Sequence, residues 1–546
     1  MKWHEPRAVL AAWLLTVVTL ACLLPFLGKA FHIDDPLFIW TARHLQSHPI
    51  DFYGFNVDWS YQEQPMSREM QNPPLAACYL AIVGAVFGWS ECALHCGFLL
   101  PALAFVLGTY CLARRFCSHP FAAALSVIAM PVFLLSSTGI MCDTMMAALW
   151  IWAVYFWVEG FDPEQPLRLW LAAGLMAACS LTKYFGISLI PLLILYSALQ
   201  RPHSRRWLIY FTLPVLILAG YQWMTARLYG HGLLWNATAY VTTLRVEGGW
   251  GSKLLETFGF CGGCTFIGLA ALPLLWGKKG MMAGALGACA FGLMMMMMKN
   301  VGVFSVIEAG HFKWQFLIQM SLFIVGGVSI LALAVFDVIC NRSPISILLA
   351  SWLIGGLIFV GAVNWTVSGR NILPLAPAVA VLIIRRMESR SNGGLPDPMR
   401  HWWWPLGVSL AVALMVARAD WQWANSERTT AGTIKDELVG RCNGISFEGH
   451  WGFHYYMEQL GAKPLTRTPL ILAANEAVVL PMDNTCIFDL PSNLVEPLAE
   501  VDVTPSKWIS IQSTPDGAGY YSDEWGPAPF VFGPATKRSY WFFRVK

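Results

Sequence analysis

The chain has 546 residues, of which 56% are hydrophobic and only 13% are charged, and its mean hydropathy is +0.52. Because a soluble domain carries about 25% charged residues, this composition excludes a soluble globular enzyme and a disordered tail. The formal net charge of +3 is nearly balanced, and no basic stripe indicates a nucleic-acid partner. Long apolar segments alternate with short basic clusters, which predicts a polytopic α-helical protein in a lipid bilayer.

The apolar segments predict about 13 transmembrane helices, since a helix of about 20 mostly apolar residues crosses a bilayer. Clusters of Lys and Arg between them predict short cytoplasmic loops under the positive-inside rule. An odd number of spans places the N-terminus in the cytoplasm and the C-terminus outside. The first segment ends without a small-residue cleavage site, so we interpret it as a retained anchor. The predicted spans cover residues 8–28, 92–112, 119–138, 144–158, 169–182, 184–199, 207–225, 257–276, 281–298, 316–337, 345–362, 371–384 and 401–417.

Two longer segments fall outside the membrane in this topology. We predict a transmembrane domain over residues 1–417, with an outer loop at 29–91 whose apolar part, 75–88, suits a helix along the membrane interface. The Gly- and Pro-rich residues 392–398 predict a cytoplasmic loop. Residues 418–546 have a normal globular composition and predict a small extracytoplasmic α/β domain. Turn signals there separate a short helix at 452–460 from predicted strands at 444–448, 478–482, 485–490 and 507–513.

The outer loop begins with two adjacent carboxylates, Asp34 and Asp35, directly after the first span. Carboxylates this close to lipid are costly unless they face water or a partner, which favours a functional role. A carboxylate can take a proton from an acceptor hydroxyl or bind a hard cation. The alternative is a helix start, in which Asp35 before Pro36 caps the following helix and Asp34 stays free.

Two further polar residues lie at outer boundaries of predicted helices. Asn72 precedes a Pro-Pro pair that fixes the start of the next helix, and its amide could hydrogen-bond a phosphate or a sugar. Asp143 begins the span at 144–158 among apolar or small neighbours. It would either cap that helix or join Asp34 and Asp35 in one carboxylate cluster, because all three lie on the same side of the membrane.

Two cations also fall on the outer side, where the positive-inside rule does not need them. Lys183 lies in a Leu-Thr-Lys-Tyr turn between two spans, and Arg370 precedes the short span at 371–384. A lysine at headgroup level suits a phosphate as a point charge, and an arginine pairs with a phosphate through two parallel hydrogen bonds. For Lys183 the alternative is simple snorkelling of a long side chain to the interface.

The order of these features resembles that of the GT-C superfamily of polytopic glycosyltransferases. The nearest branch holds the protein O-mannosyltransferases and the lipid A aminoarabinose transferase. The resemblance covers roughly residues 8–390, and the fragment Gly-His-Trp-Gly-Phe at 449–453 also looks like bacterial members. It rests on the acidic pair after the first span, the Pro-Pro helix start, the Ala-Arg-Arg turn at 113–115, the outer Asp, the Leu-Thr-Lys turn, and Arg-Asn-Ile-Leu-Pro-Leu-Ala-Pro at 370–377.

This resemblance implies that the domain at 1–417 is a GT-C-like catalytic domain that takes a sugar from a polyprenyl-phosphate carrier. It implies that Asp34 is the catalytic carboxylate with Asp35 as its partner, and that Asp143 and Lys183 match further family positions. The aminoarabinose transferase has a Lys at the position of Asn72. The resemblance therefore does not decide whether Asn72 contacts a phosphate. Members differ in their use of a divalent cation, so the cofactor is unknown, and Asp34 and Asp143 would be the ligands of a metal.

From these observations we expect a glycosyltransferase at the outer face of a bacterial inner membrane. The acceptor is a hydroxyl of a glycolipid, a polysaccharide or a protein, and direct displacement would invert the anomeric centre. The alternative is a secondary transporter or flippase, which predicts inverted repeats and charges near the middle of the membrane. A purely structural subunit is a third alternative, and it leaves the outer carboxylates unexplained.

Overall fold

Apolar helices form most of the chain, and a small β-sheet lies near its C-terminus. The computed structural model describes residues 6–60, 62–161, 165–243, 249–391, 398–438, 442–467 and 469–546. The predicted cytoplasmic loop at 392–398 lies outside the described residues except for Pro398.

Several helices begin at a proline, for example at Pro120, Pro131 and Pro166. The α-helices are Pro6–Leu23, Asp35–Leu45, Met66–Glu69, Leu75–Phe87, Glu91–Phe116, Pro120–Ile128, Pro131–Ser137, Cys142–Phe161, Pro166–Thr182, Leu189–Gln200, Thr212–Tyr229, Leu233–Thr243, Trp250–Cys264, Ile267–Ala270, Leu272–Met298, Trp314–Asn341, Pro344–Ile358, Ala376–Ser391, Trp403–Leu438 and Trp451–Gln459. Tighter 3₁₀ turns are Leu24–Phe26, Tyr184–Ser188, Arg206–Phe211, Gly369–Leu375 and Pro398–His401, and Phe359–Val363 is π-helical.

The protein is a multi-pass helical membrane protein, but the predicted count of about 13 spans is not confirmed. Among the described residues, eight helices are long and apolar enough to cross a membrane. A ninth span results if Pro120–Ile128 and Pro131–Ser137 count as one, although that pair bends by 62°. Other apolar helices are shorter, such as Pro166–Thr182, and the predicted span at 257–276 is broken after Cys264. Apolar composition indicates which segments of the chain lie in the bilayer, but it does not show where a helix bends or ends.

The C-terminal part of the chain folds around a five-stranded mixed sheet. Ile445–Phe447 pairs in parallel with its neighbours on both sides, and the remaining pairs are antiparallel. The strand order across the sheet is Val495–Val503, Arg538–Val545, Ala477–Pro481, Ile445–Phe447 and Lys463–Pro464. Two-stranded ribbons elsewhere pair Asn56–Asp58 with Glu63–Pro65, Asn300–Val301 with Phe304–Ser305, Ile307–Glu308 with His311–Phe312, Ile509–Ser510 with Val531–Phe532, and Gln512–Ser513 with Ala518–Gly519.

Several of the expected elements of this part are present, and others differ. Strands lie at 445–447 and 477–481, the helix at 451–459 is formed, and the segment 507–513 holds two short strands. The described residues 485–490 form no strand. The two longest strands, Val495–Val503 and Arg538–Val545, were not predicted, since charged and polar residues along them hide the alternation of a strand.

One helix carries the chain from the membrane into the tail. Trp403–Leu438 runs without a break through the predicted boundary between 417 and 418. The segment 518–526 then returns to the transmembrane helices. Tyr520 is fully buried there, its hydroxyl lies 3.2 Å from Ser136 Oγ, and its carbonyl oxygen accepts a hydrogen bond from the Gly369 N–H at 2.7 Å. The tail and the transmembrane helices therefore share the main hydrophobic core, and a separate cluster within the tail consists of Leu465, Val478, Leu480, Val495 and Val545.

Candidate active site

A cavity of about 900 Å³ lies where the first outer loop, several helix ends and the tail meet. Five of the six predicted site residues line this cavity: Asp34, Asn72, Asp143, Lys183 and Arg370. They come from segments up to 336 residues apart. The fold thus brings together the polar groups that the sequence places at separate outer boundaries.

The first pair of charges in the cavity is Asp143 with Lys183. Asp143 lies in the first turn of Cys142–Phe161, and Lys183 ends Pro166–Thr182 in an extended conformation. Lys183 Nζ donates to Asp143 Oδ1 at 2.6 Å and to Asn371 Oδ1 at 2.8 Å. Asp143 is 2% exposed and Lys183 is 18% exposed. Two acceptors therefore hold the ammonium group of Lys183 in place. Of this pair, Lys183 has the larger exposed fraction, and Asp143 is almost completely buried.

The second pair of charges is Asp34 with Arg370. Arg370 Nη1 donates to Asp34 Oδ2 at 3.2 Å, and Asp34 is the most exposed charged group of the two pairs, at 31%. The guanidinium carbon lies 5.5 Å from the ring centre of Tyr521. Burial by itself would lower the pKa of Arg370, but Asp34 and Asp143 raise this pKa above its ordinary value. The guanidinium therefore stays charged.

Asp35 does not line the cavity, and it does not cap its helix. Asp34 occupies the capping position and makes no side-chain capping hydrogen bond. Asp35 is 1% exposed, and its carboxylate accepts the N–H groups of His32 at 2.9 Å and Ile140 at 3.2 Å. Burial raises its pKa from 3.8 to about 6. The alternative of a capping Asp35 and a free Asp34 is therefore wrong, because Asp35 joins the outer loop to residue 140 and Asp34 binds Arg370.

Asn72 lies at the edge of the cavity and is fixed by its neighbours. Its Oδ1 accepts a long hydrogen bond from Cys142 Sγ at 3.6 Å. Its carbonyl oxygen accepts from the Tyr53 hydroxyl at 2.7 Å. The side chain touches the residue next to Asp143, so it lies near the Asp143–Lys183 pair.

An apolar wall adjoins the charged groups. Phe185 follows Lys183 by two residues, and its ring stacks on Phe359 with a centroid distance of 4.0 Å and an interplanar angle of 8°. Ile187 and Val363 continue this lining. These residues come from helix ends that belong to the apolar part of the chain, so one side of the cavity suits a hydrocarbon chain.

The tail forms another wall of the cavity, and sequence reasoning missed it. Tyr521, Trp525 and Gln512 line the cavity, as does His450. The His450 ring stacks on Trp59 at 4.6 Å, and burial lowers its pKa to about 3, so it is neutral. In the sequence, the fragment at 449–453 shows only a likeness to bacterial members of the family. For Tyr521 and Gln512 the sequence contains no signal, because a lone aromatic or amide in a polar tail is common.

Tyr521 connects the cavity to a buried ion pair behind it. Its hydroxyl donates to Asp420 Oδ1 at 2.9 Å. Asp420 also accepts from Lys29 Nζ at 2.5 Å, and His32 Nε2 lies 3.4 Å away. These residues belong to the start of the outer loop, the last long helix and the tail. The ring under Arg370 is thus fixed by three parts of the chain.

The residues do not fit a metal site as the structure places them. Within the described ranges, no group of three or more His, Cys, Asp and Glu could hold a metal ion. Asp34 and Asp143, the predicted ligands, each bind a cationic side chain instead. We therefore derive no step of the chemistry through a metal.

Residues 71–223 match the family model described as "Dolichyl-phosphate-mannose-protein mannosyltransferase". The matched segment contains Asn72, Asp143 and Lys183. Over this segment, the match supports the predicted resemblance to the protein O-mannosyltransferase branch of membrane glycosyltransferases. The alternative of a secondary transporter or flippase is not favoured. No curated protein matches the chain.

Solved structures of three glycosyltransferases are similar to this chain at low identity. ArnT from Cupriavidus metallidurans bound to undecaprenyl phosphate is 14% identical, with 87% of this chain and 93% of that chain covered and a TM-score of 0.44. Arabinofuranosyltransferase AftD from Mycobacteria is 13% identical, with 98% and 39% covered and a TM-score of 0.39. Arabinosyltransferase EmbB from Mycobacterium smegmatis is 12% identical, with 93% and 47% covered and a TM-score of 0.35. At these TM-scores the likeness supports no further statement about this chain.

Proposed function

We propose that the protein transfers a sugar from a polyprenyl-phosphate donor to an acceptor hydroxyl at the outer face of a bacterial cytoplasmic membrane. One observation carries this proposal: a single cavity combines two cations, an accessible carboxylate and an apolar wall. A donor of this class has the same three parts, namely a charged phosphate, a reacting sugar and a hydrocarbon tail. The description of the matching family model, which names a dolichyl-phosphate sugar, supports this donor class.

The donor phosphate binds between Lys183 and Arg370 in this proposal. Both cations lie in the same cavity and both already hold a carboxylate, so they are in place before a donor arrives. Preorganised cations stabilise the negative charge that develops on a leaving phosphate, and the low dielectric of a partly buried site strengthens the effect. The apolar residues Phe185 and Phe359 adjoin Lys183 and receive the first part of the lipid chain.

Asp34 is the general base. It is the most exposed carboxylate of the two ion pairs, so an acceptor hydroxyl can reach it. The hydroxyl oxygen forms a bond to the anomeric carbon and gives its proton to Asp34. The bond from that carbon to the phosphate oxygen breaks, and its electron pair stays on the phosphate. A single displacement of this kind inverts the anomeric centre. Arg370 holds Asp34 at rest, and a bound phosphate would attract Arg370 away from it.

The basic clusters favour an orientation with the N-terminus in the cytoplasm and with the cavity and the tail on the opposite, periplasmic side. A lipid-linked donor suits that side, because a sugar carried on a membrane lipid can react there without a supply of nucleotide sugar. The acceptor is a hydroxyl of a glycolipid, a polysaccharide or a protein.

The proposal is tested with Lys183→Ala and Arg370→Ala in lipid nanodiscs, with a purified polyprenyl-phosphate sugar as donor. We expect each variant to lower turnover by about 100-fold or more, the range for removing one charge-stabilising group. Arg227→Ala is the matched control, because Arg227 is exposed at the end of a span and does not line the cavity.

Thermal unfolding separates loss of function from loss of fold in these variants. Turnover and donor KM that match the wild type in both Lys183→Ala and Arg370→Ala would contradict the proposed phosphate site. Equal losses in Arg227→Ala would show that removing any cation from this protein lowers turnover.

A further inference from the structure

A second cavity, which we call the tail crevice, lies between the last long helix and the C-terminal sheet. Its volume is about 270 Å³, just below the range of about 300–1,000 Å³ that small-molecule sites occupy. Trp525 and Gln512 line both the tail crevice and the candidate active site. The two cavities are therefore neighbours that share part of one wall.

The lining of the tail crevice is rich in hydrogen-bonding groups that the protein leaves unused. Ser510 and Ser513 line it together with Asp483 and Arg538. Ser510 Oγ, Ser513 Oγ, Asp483 Oδ1 and Arg538 Nη1 have no hydrogen-bond partner among the described residues. Buried polar groups in proteins are nearly always paired. Arg538 is 1% exposed, so its unpaired Nη1 at the wall of this cavity is the group that most favours a polar ligand there.

The charges around the tail crevice include no unpaired cation. Arg538 Nε donates to Asp483 Oδ2 at 2.6 Å, and Arg538 Nη2 donates to Glu427 Oε1 at 3.2 Å. Lys537 Nζ lies 3.3 Å from Asp502 Oδ2. Because every cation here has a carboxylate partner, the crevice offers no excess positive charge to a phosphate. A neutral ligand with many hydroxyl groups fits better.

A sugar has the chemistry that this lining requires. Each sugar hydroxyl donates one hydrogen bond and accepts others, so it matches serine hydroxyls, a carboxylate oxygen and a guanidinium N–H at once. Trp525 is half-buried in this lining, and an indole ring is an apolar surface on which the C–H groups of a sugar ring can pack. The volume suits a single sugar unit rather than a longer chain.

We propose that the tail crevice binds a sugar unit of the acceptor, so that the acceptor is a glycan. The assignment of this sugar to the acceptor rests on the proposed transfer function, whereas the binding itself does not. A glycan seated in the crevice extends past Trp525 and Gln512 into the candidate active site. The hydroxyl that receives the transferred sugar belongs to a neighbouring unit of the same glycan.

The test measures saccharide binding by the full-length protein in lipid nanodiscs, since glycoside detergents would compete. The probe is an array of bacterial envelope oligosaccharides, followed by titration of the strongest binder. Ser513→Phe fills the crevice with a ring, and Ser492→Phe makes the same change at an exposed turn of the tail outside the crevice. We expect wild type and Ser492→Phe to bind alike and Ser513→Phe to bind at least tenfold more weakly.

Ser513→Ala serves as a second variant if the larger ring unfolds the tail, and it should weaken binding at least threefold by removing one hydroxyl. Absence of saccharide binding by the wild type, or binding that is unchanged in both Ser513 variants, would overturn the proposal. Saccharide binding without sugar transfer from polyprenyl-phosphate donors contradicts the proposed function and leaves the saccharide site standing. Transfer without saccharide binding contradicts the crevice alone.

Discussion

The charged side chains of the candidate active site are paired with one another. Asp143 holds Lys183, and Asp34 holds Arg370. Removing one partner of a buried pair leaves an uncompensated charge and destabilises the protein, whereas the intact pair contributes little. Each substitution in this site therefore acts on folding as well as on chemistry, and a loss of activity has meaning only beside a measured unfolding temperature.

Asp35 makes stability depend on pH in a predictable direction. Burial raises its pKa from 3.8 to about 6, against the opposing influence of Lys29 and His32. The folded state therefore binds this proton more tightly than the unfolded state. Its stabilising effect is complete below pH 3.8 and is lost as the pH rises through about 6. The pKa difference corresponds to roughly 3 kcal/mol of unfolding free energy, since each pH unit of pKa difference is worth about 1.4 kcal/mol.

Thermal unfolding of wild type and Asp35→Asn between pH 4 and pH 7 checks this expectation. An asparagine does not titrate, so the unfolding temperature of the wild type should fall relative to that of Asp35→Asn as the pH rises from 4 to about 6, and the difference should level off above that pH. Unfolding temperatures that shift in parallel for both proteins would show that the folded and unfolded states bind the Asp35 proton equally, which contradicts a raised pKa.

At the scale of elements, the segment 518–526 decides the shape of the site. It inserts Tyr520 beside the 3₁₀ turn Gly369–Leu375, which carries Arg370 at its start. A Cβ atom at Gly369 would lie 2.3 Å from Tyr520 Cε2, closer than any real contact. Glycine is therefore required at 369 by this close approach.

Gly369→Ala should force the turn and the Tyr520 ring apart and move Arg370. Overpacking of this kind typically costs about 1–3 kcal/mol, and a displacement near 1 Å at a reacting group lowers rates by about 100-fold. Gly407→Ala is the matched control, because nothing lies within 4 Å of a Cβ there and the helix gains a better helix former. Unfolding temperature and transfer rate check both variants. A Gly369→Ala protein as stable and active as Gly407→Ala would contradict the described packing.

The sequence indicates elements well where composition is decisive. Apolar runs locate the long helices such as Glu91–Phe116 and Trp314–Asn341, because the preference of a segment for the bilayer over water depends on its own residues. The sequence does not indicate bends or strand pairing that depend on contacts with distant segments of the chain. The 62° bend near Pro131 and the strands Val495–Val503 and Arg538–Val545 depend on packing between segments far apart in the chain.

At the scale of the whole molecule, the prediction of which charged residues lie on the outer side of the membrane located much of the site. Carboxylates and cations at outer helix ends must share one surface of a multi-pass protein, and five of the six predicted residues do line one cavity. The wall formed by Tyr521, Trp525 and Gln512 could not be predicted, because no periodicity links a tail to helix ends that lie more than 140 residues earlier in the chain. The ion pairs were equally hidden, since a sequence does not show which carboxylate meets which cation.

The most direct measurement of the account is sugar transfer by Asp34→Asn in nanodiscs, from a purified polyprenyl-phosphate donor to acceptors in an envelope extract. Asparagine keeps the shape of Asp34 and a hydrogen bond to Arg370 but cannot take the proton. We expect turnover to fall by about 100- to 10,000-fold, the usual range for loss of a general base. Asp35→Asn, whose side chain lies outside the cavity, should lose much less. An Asp34→Asn protein that is folded and transfers sugar at the wild-type rate would contradict the account.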